Sequence, residues 1–289
     1  MKVEKYRFFI LCPLLLVMHY HMSAMEHGLI SLIAGNGIHC GNKVKLKDFE
    51  VGTRMGGVVT RIFCLDNQQI RAIDACGKAN VALCQVGNDE EESLTIKAEE
   101  DIIDYLPIAV VDKHTLSIGQ NFNNGIRPTK NILYCIALRN ITHIACNDLV
   151  KIVSLSPIKT NELCLTLQGK SKFIADGAYG IDTNVLNVTL KDSSSASLSG
   201  RARHQKLDVG DSAEYDAQAL ETNTVCVEAG GTSKIKVCMV DLSGGVNTLD
   251  VSGIYGAMTE ASLLEYLGKS FTKVKRQDSS ILRQIIQGK

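Results

Sequence analysis

The sequence has no tryptophan, and aromatic residues make up only 5% of its 289 positions. This scarcity argues against a sugar-binding groove lined with aromatic rings, since such a groove depends on large ring surfaces. The sequence also lacks a net charge, because 31 lysines and arginines match 31 aspartates and glutamates. With no excess of positive charge there is no overall field that attracts nucleic acid or an anionic membrane. We therefore expect no nucleic-acid partner.

Cys-X-X-Cys pairs are absent too, so the ten cysteines offer no spacing for a structural zinc site. Nine of them follow residue 24, and an odd number leaves at least one without an intramolecular partner. Several lie in β-type runs such as LCLTL at 163–167, where a small apolar side chain packs well. We predict that most are packing residues, with one or two disulfides as the alternative in an exported protein.

The N-terminal 24 residues follow the plan of a secretory signal peptide. Basic residues at positions 2, 5 and 7 precede an apolar run at 8–18, and the following polar stretch ends in Ala24. The alternative is a retained membrane anchor, although the run is only about half the ~20 residues that cross a bilayer. We predict cleavage near Ala24, a flexible lead-in at 25–44, and no transmembrane span after signal removal.

From about residue 140, apolar alternation recurs on both sides of a glycine, aspartate or cysteine. These punctuating residues repeat every 19 to 23 positions: Cys146, Gly169, Asp192, Asp211, Gly231 and Gly253. The positions two before and four after each of them are all apolar or aromatic. Such a period predicts an all-β fold, a β-solenoid in which each coil stacks its short strands on those of its neighbours. The six residues would be corners, where glycine and aspartate adopt left-handed backbone angles at low cost.

The stretch VTLKDSSSASLSG at 188–200 tests this prediction, because a serine-rich composition alone is typical of a flexible linker. In register with the other repeats it becomes the strand, corner and strand of one coil. Four of its residues then point into the core: Val188, Leu190, Ala196 and Leu198. We therefore predict one solenoid domain at 45–270, with a C-terminal cap or basic tail at 271–289.

Residues 49–140 have β-type patterns without the repeat. The stretch at 93–119 predicts a strand, a polar turn, a short helical or irregular piece, and two strands joined by a tight turn. The acidic run GNDEEES at 87–93 predicts a solvated turn. The stretch at 118–130, with its Asn-Asn-Gly and Arg-Pro, predicts an exposed loop.

Several phrases resemble, in order, the "head GIN domain" family of exported bacterial proteins, named "putative auto-transporter adhesins". They include FEVG at 49–52, IDACGKANVAL at 73–83, KHTLSIG at 113–119, EAGGTSK at 228–234 and LDVSG at 249–253. The resemblance covers roughly residues 45–285 and implies a right-handed parallel β-helix, in agreement with the repeat. It implies no catalytic or ligand-binding residue, and adhesion does not follow from a fold alone.

The best catalytic candidates are Asp192 and Asp211, which the repeat places at equivalent corners of adjacent coils. Stacked strands lie ~4.8 Å apart, so these two carboxylates could bind Ca²⁺ or share a proton in glycoside cleavage. The interpretation that we favour is that both are turn residues in positions where other coils have glycine. No motif predicts a metal or a cofactor.

A cysteine nucleophile would need a nearby histidine. Alternation places His143 and Cys146 on opposite faces of a strand. His204 lies in the basic stretch RARHQK, which we predict to be a solvated loop. Cys164 and Cys226 share a ladder position three coils apart, which is beyond the reach of a disulfide.

The sequence thus predicts an exported, non-enzymatic β-solenoid with coils of about 19–23 residues. Its surface would bind an envelope, glycan or protein ligand, in an adhesion role at the bacterial cell envelope. We expect it in the periplasm, at the outer membrane surface or secreted. Two alternatives remain: a carbohydrate-active β-helix enzyme that uses Asp192 and Asp211, and a structural envelope spacer.

Overall fold

The computed structural model describes residues 48–50, 57–65, 68–119, 129–240, 253–268 and 271–285. These residues belong to one compact unit that spans residues 34–289. Within them lie twenty β-strands, two short 3₁₀ helices and no α-helix. The 3₁₀ helices are Ile103–Tyr105 and Gly177–Tyr179. The strands are β1 (Asp48–Glu50), β2 (Val58–Cys64), β3 (Ala72–Cys76), β4 (Asn80–Gln85), β5 (Ser93–Glu99), β6 (Ile108–Val111), β7 (Thr115–Gly119), β8 (Leu133–Leu138), β9 (His143–Cys146), β10 (Lys151–Ser154), β11 (Ile158–Leu167), β12 (Lys172–Ala175), β13 (Ile181–Leu190), β14 (Ser195–Val209), β15 (Glu214–Ala229), β16 (Lys234–Met239), β17 (Gly253–Met258), β18 (Leu263–Leu267), β19 (Phe271–Arg276) and β20 (Ile281–Ile285).

The alternation of apolar and polar residues explains the strands, because successive side chains of a strand point to opposite faces. Along β13, Leu186, Val188 and Leu190 are buried, with exposures of 0%, 2% and 0%. The intervening Asn187 and Thr189 face outward and are half-buried. Each buried aliphatic side chain contributes about 1.5–3 kcal/mol by leaving water, so the inward column stabilises the strand.

The first of two parallel ladders runs through β3, β9, β11, β13, β14, β15, β17 and β19. In its main inward column, each residue is aligned with the next across neighbouring strands. The column consists of Cys146, Leu167, Leu190, Val209, Ala229 and Met258. All six side chains are buried, so this column forms one continuous strip of the core.

The second parallel ladder runs through β4, β10, β12, β14, β15, β16, β18 and β20. Its inward column places the small Ala196 between Phe173 and Tyr215. A small residue between two large aromatic ones lets the three stacked side chains pack closely. The strands β14 and β15 take part in both ladders, and a register shift separates their two halves.

The antiparallel pairings that involve β1, β2, β5 and β8 lie within residues 48–138. The strand β5 pairs antiparallel with β2 and with β8, and β1 pairs antiparallel with β2. The hairpin of β6 and β7 turns through the three residues 112–114, of which Asp112 and Lys113 have left-handed φ angles of 52° and 61°. The predicted order of strand, short helical piece, strand, tight turn and strand is confirmed by β5, Ile103–Tyr105, β6 and β7.

The prediction of an all-β chain with a mostly parallel sheet is confirmed. The four residues predicted to point inward from the serine-rich stretch are indeed buried, with exposures of 2% or less. Right-handed winding and the domain boundaries stay predictions, while the signal segment and the lead-in at 25–44 lie outside the described residues. Most of the loop predicted at 118–130 lies outside them as well. No helix in the described part of the chain is long and apolar enough to cross a membrane.

Two of the six predicted corners were wrong. Cys146 is an inward residue at the end of β9, and the corner is Asp148, with φ of 68°. Gly253 begins β17 and is buried, and the corner of that repeat is Glu260, with φ of 57°. The second error arose because 29 residues separate Gly231 from Glu260, which is longer than the period that guided the register.

Candidate functional site

The turns between the two ladders form a column of corners that contains both catalytic candidates. Each corner residue has a left-handed backbone, with φ between 56° and 73°. The column consists of Gly77, Asp148, Gly169, Asp192, Asp211, Gly231, Glu260 and Asp278. The predicted low cost of glycine and aspartate at corners explains seven of the eight identities.

Four corner aspartates bind the backbone of the preceding repeat. In each case Oδ2 accepts a hydrogen bond from the N–H group of the corner residue one step earlier in the stack. The donor and acceptor pairs are Gly77 and Asp148 at 3.2 Å, Gly169 and Asp192 at 2.9 Å, Asp192 and Asp211 at 3.0 Å, and Glu260 and Asp278 at 3.2 Å. Because such charge-assisted bonds are stronger than neutral ones, each aspartate stabilises the turn before it.

Asp192 and Asp211 therefore occupy adjacent corners, as the repeat predicted. Their backbones are also part of the stack, since the Asp192 carbonyl accepts from Ser212 N at 2.8 Å and the Asp211 carbonyl from Thr232 N at 2.6 Å. A Ca²⁺ ion takes 6–8 oxygen ligands. Among the described residues, no group of three or more histidines, cysteines or carboxylates is arranged to hold a metal. Both aspartates take part, with side chain and backbone, in the hydrogen bonds between stacked turns.

Lys191 pairs with Asp208 and not with its chain neighbour Asp192. Its Nζ atom lies 2.6 Å from Oδ1 of Asp208, which faces outward on β14. Asp192 instead uses Oδ2 to bind Gly169 N. The acids at the corners and the acids on the strand faces thus have different partners.

Buried serines line the inside of the corners, two residues after the corner residue. Ser171, Ser194 and Ser262 each donate from Oγ at 2.8 Å to a backbone carbonyl three residues earlier. All three have exposures of 1% or less. Within VTLKDSSSASLSG, Ser194 therefore closes its corner, whereas Ser193 is exposed.

The sequence did not predict four of the eight corners, namely those at Gly77, Asp148, Glu260 and Asp278. A local signal for two of them was present, because a serine follows two residues later, at Ser262 and Ser280. The triplet Asp-Ser-Ser at 278–280 repeats the one at 192–194. A search for a corner residue followed two positions later by serine or alanine would have found both.

The other candidates lie apart from one another. His143 is exposed and Cys146 is buried, so the predicted opposite faces are confirmed. His204 lies within β14, so the prediction of a loop at RARHQK was wrong. Arg201 and Arg203 are exposed while Ala202 is buried, which is the alternation of a strand. This stretch was misread because only one of its first four residues is apolar.

Three of the eight described cysteines are buried, namely Cys84, Cys135 and Cys146. Burial raises the pKa of the Cys84 and Cys135 thiols to about 12 and also raises that of Cys146. Cys164 and Cys226 face outward, three strands apart in the first ladder, and both are free thiols. Three strand spacings of ~4.8 Å separate the two residues, which is beyond the reach of a disulfide. Burial lowers the reactivity of the Cys84, Cys135 and Cys146 thiols, because it disfavours the thiolate form.

The acidic run at 87–93 is not entirely a solvated turn. Glu92 is only 5% exposed, and its Oε1 accepts a hydrogen bond from Arg139 N at 2.7 Å. Its Oε2 lies 3.6 Å from the Arg139 guanidinium. Gly87, Asp89 and Glu91 are exposed, as predicted. Glu92 thus binds Arg139 and fixes the start of the loop that follows β8.

Outward charged residues of neighbouring repeats pair across the strands. Arg201 lies 3.6 Å from Glu221, and the Lys234 ammonium lies 2.9 Å from Glu214. The hydrogen bond from Lys234 lowers the pKa of Glu214. Asp216 and Lys236 form a further aligned pair, and Arg283 also pairs with Glu265, whose side chain is only 8% exposed. Exposed pairs contribute at most about 1 kcal/mol each, so they help to define the register more than they stabilise the fold.

Comparison with known proteins gives one family and several similar structures. The family model described as "Putative auto-transporter adhesin, head GIN domain" matches residues 71–257. No curated protein matches the chain.

Three solved structures illustrate the likeness. A putative adhesin from Bacteroides fragilis NCTC 9343 is 17% identical, with a TM-score of 0.66, and the match covers 80% of this chain and 98% of that one. A putative adhesin from Parabacteroides merdae ATCC 43184 is 14% identical, with a TM-score of 0.61 and coverages of 80% and 97%. A putative lipid binding protein from Parabacteroides distasonis ATCC 8503 is 16% identical, with a TM-score of 0.62 and coverages of 80% and 98%. At these identities the likeness concerns the fold alone.

Proposed function

The chain belongs to the family described as "Putative auto-transporter adhesin, head GIN domain", and from this membership we propose an exported, non-enzymatic protein with an adhesion-type role. Its ladders would present a binding surface at the bacterial cell envelope. The ligand would be an envelope component, a glycan or a protein.

The observation that supports this proposal is that each ladder has an inward apolar side and an outward side. Inward columns are filled by apolar side chains, such as Leu167, Leu190 and Val209. Outward positions place side chains of successive repeats in rows about 4.8 Å apart. Regular rows of this kind form an extended surface, which suits contact with a large or repetitive ligand.

The corner acids support the non-enzymatic part of the proposal. Asp192 and Asp211 are the strongest catalytic candidates, yet Oδ2 of each is hydrogen-bonded to a backbone N–H group. The alternative is polysaccharide cleavage by this pair. Asp192→Asn and Asp211→Asn test it, since asparagine tolerates the left-handed backbone and its side-chain oxygen can still accept the bond. We expect no cleavage of a polysaccharide panel by the unmodified protein. Activity that both substitutions abolish would contradict the proposal.

We also propose that the ladders wind as a right-handed parallel β-solenoid. Parallel strands joined by a crossover are right-handed in about 98% of cases, and the parallel pairings follow one another along the chain. A crystal structure provides the test. A left-handed winding, or two separate sheets, would overturn this part.

Export is tested apart from binding. We expect the protein isolated from its natural source to begin at Met25, after loss of the predicted signal peptide. N-terminal sequencing and cell fractionation measure this. Full-length protein retained in a membrane would instead support the anchor.

Adhesion is tested by binding the purified protein to glycan arrays and to envelope fractions. The expected result is saturable binding to at least one ligand class. An absence of binding to every ligand would favour the structural spacer.

A further inference from the structure

Two lysines depart from the pairing of opposite charges across the ladders. Lys151 on β10 is aligned directly with Lys172 on β12, and both face outward. Like charges directly opposite each other are destabilising. Neither lysine forms an ion pair within the described part of the chain.

The contrast with other rows is informative. The aligned acids Asp208 and Glu228 also repel each other, but Lys191 lies 2.6 Å from Asp208 and offsets this. In the row of the two lysines, the next acid is Glu214, two strands beyond Lys172. Glu214 is already bonded to Lys234. The lysine pair therefore has no counter-charge of its own in its row.

The row also contains uncharged polar side chains next to the two lysines. On the strands that flank the two lysines, the aligned outward residues are Asn80 and Ser195. Four polar side chains thus follow one another across β4, β10, β12 and β14. With strands ~4.8 Å apart, the two ammonium groups can each donate to a different oxygen of one tetrahedral anion. The flanking amide and hydroxyl groups can donate as well.

We propose that the row of Asn80, Lys151, Lys172 and Ser195 binds a phosphate or sulfate group of the ligand. This inference deepens the binding role proposed above and rests on it. Partial burial and the charge of Lys172 lower the pKa of Lys151, a cost that a bound anion would relieve. The next outward residues on the same two strands are Val153 and Ile174, which are aligned and half-buried. The site can therefore also contact an aliphatic part of the same ligand.

The test compares two double variants with the same loss of charge. Lys151→Gln with Lys172→Gln removes the proposed site. Lys234→Gln with Lys236→Gln removes two lysines of the same ladder that are paired with Glu214 and Asp216. Three anionic probes are titrated at constant ionic strength: inorganic phosphate, dextran sulfate, and phosphatidylcholine vesicles that contain about one fifth phosphatidylglycerol. Dextran and vesicles of phosphatidylcholine alone are the controls without the anionic group.

We expect the unmodified protein to bind phosphate and at least one larger anionic probe. The first double variant should lose at least tenfold in affinity and the control less than twofold. Binding to dextran sulfate alone would identify a glycan as the source of the anion, and binding to the anionic vesicles alone would identify a lipid head group. Equal losses in the two variants, or no loss in either, would overturn the proposal.

A single substitution separates this inference from the proposed function. Lys172→Glu would pair with Lys151 as Glu214 pairs with Lys234, so we expect it to abolish anion binding and raise the melting temperature. If this variant still adheres to the ligand found in the glycan and envelope screen, the anion site is wrong and the adhesion role stands. If the unmodified protein binds phosphate but no envelope ligand, the adhesion role fails instead.

Discussion

At the scale of single residues, the close stacking of successive turns explains why some corners require glycine. A Cβ atom on Gly231 would lie 2.3 Å from the Asp211 carbonyl oxygen, and its φ is +67°. Gly177 has a similar φ of +60°, but a Cβ atom there would meet nothing within 4 Å. We expect Gly177→Ala to cost about 1 kcal/mol from backbone strain and Gly231→Ala about 3 kcal/mol or more, because the clash adds to the strain. Denaturant unfolding measures both, and equal losses would show that stacking distance does not matter.

The corner serines permit a second comparison between single residues. Ser194 is buried and donates to the Lys191 carbonyl at 2.8 Å. Ser233 is equally buried, but its Oγ has no hydrogen-bond partner within the described structure. Because a satisfied hydrogen bond contributes about 1 kcal/mol and an unsatisfied buried hydroxyl carries a cost, we expect Ser194→Ala to destabilise by about 1 kcal/mol and Ser233→Ala to be neutral or stabilising. Ala213 shows that alanine fits this position in the stack. The same loss from both substitutions would contradict this explanation.

At the scale of strands, alternation made the inward columns predictable wherever the repeat stayed near twenty residues. The corners at Asp192 and Asp211 and the aligned residues around them followed from this period. The period failed after Gly231, because the next corner is 29 residues away. The bonds from the corner aspartates to preceding amides were not predictable, since they depend on distances between repeats rather than on residue spacing.

The buried strands also predict how the cysteines react. Cys84 on β4 and Cys135 on β8 are nearly inaccessible, and burial raises their pKa to about 12. At pH 8 only about one in ten thousand such thiols would be the reactive thiolate. Cys226 faces outward on β15 and is exposed. We expect iodoacetamide to label Cys226 in the folded protein and the other two only after unfolding, as measured by mass spectrometry of peptides. Raising the pH toward 12 should increase labelling of the buried pair, and rapid labelling of either at pH 8 would contradict their burial.

At the scale of the whole molecule, the parallel stack was predictable because one pattern recurs in successive repeats. The antiparallel pairings were harder to predict, since β2, β5 and β8 repeat nothing and pair with partners far away in the sequence. Gly77 and Asp148 are neighbours in the corner column, although 71 residues separate them. The antiparallel strands lie within that insertion or before it. No local period could relate two corners across such a distance.

The stack predicts how the whole chain resists proteolysis at its serine-rich stretch. Lys191 is a trypsin site next to a corner whose backbone is held on one side by bonds of 2.9 Å from Ser193 N to the Gly169 carbonyl and from Ser195 N to the Ser171 carbonyl. Cleavage requires these hydrogen bonds to break, so we expect it to be as slow as unfolding of the sheet.

The exposed loop at 87–91 provides the control, and a glutamate-specific protease should cut it earlier. Digestion with each protease followed by intact mass analysis measures both rates. An early cut after Lys191 that releases two stable halves would show that the stretch is a linker after all, and that the two ladders do not form one cooperative unit.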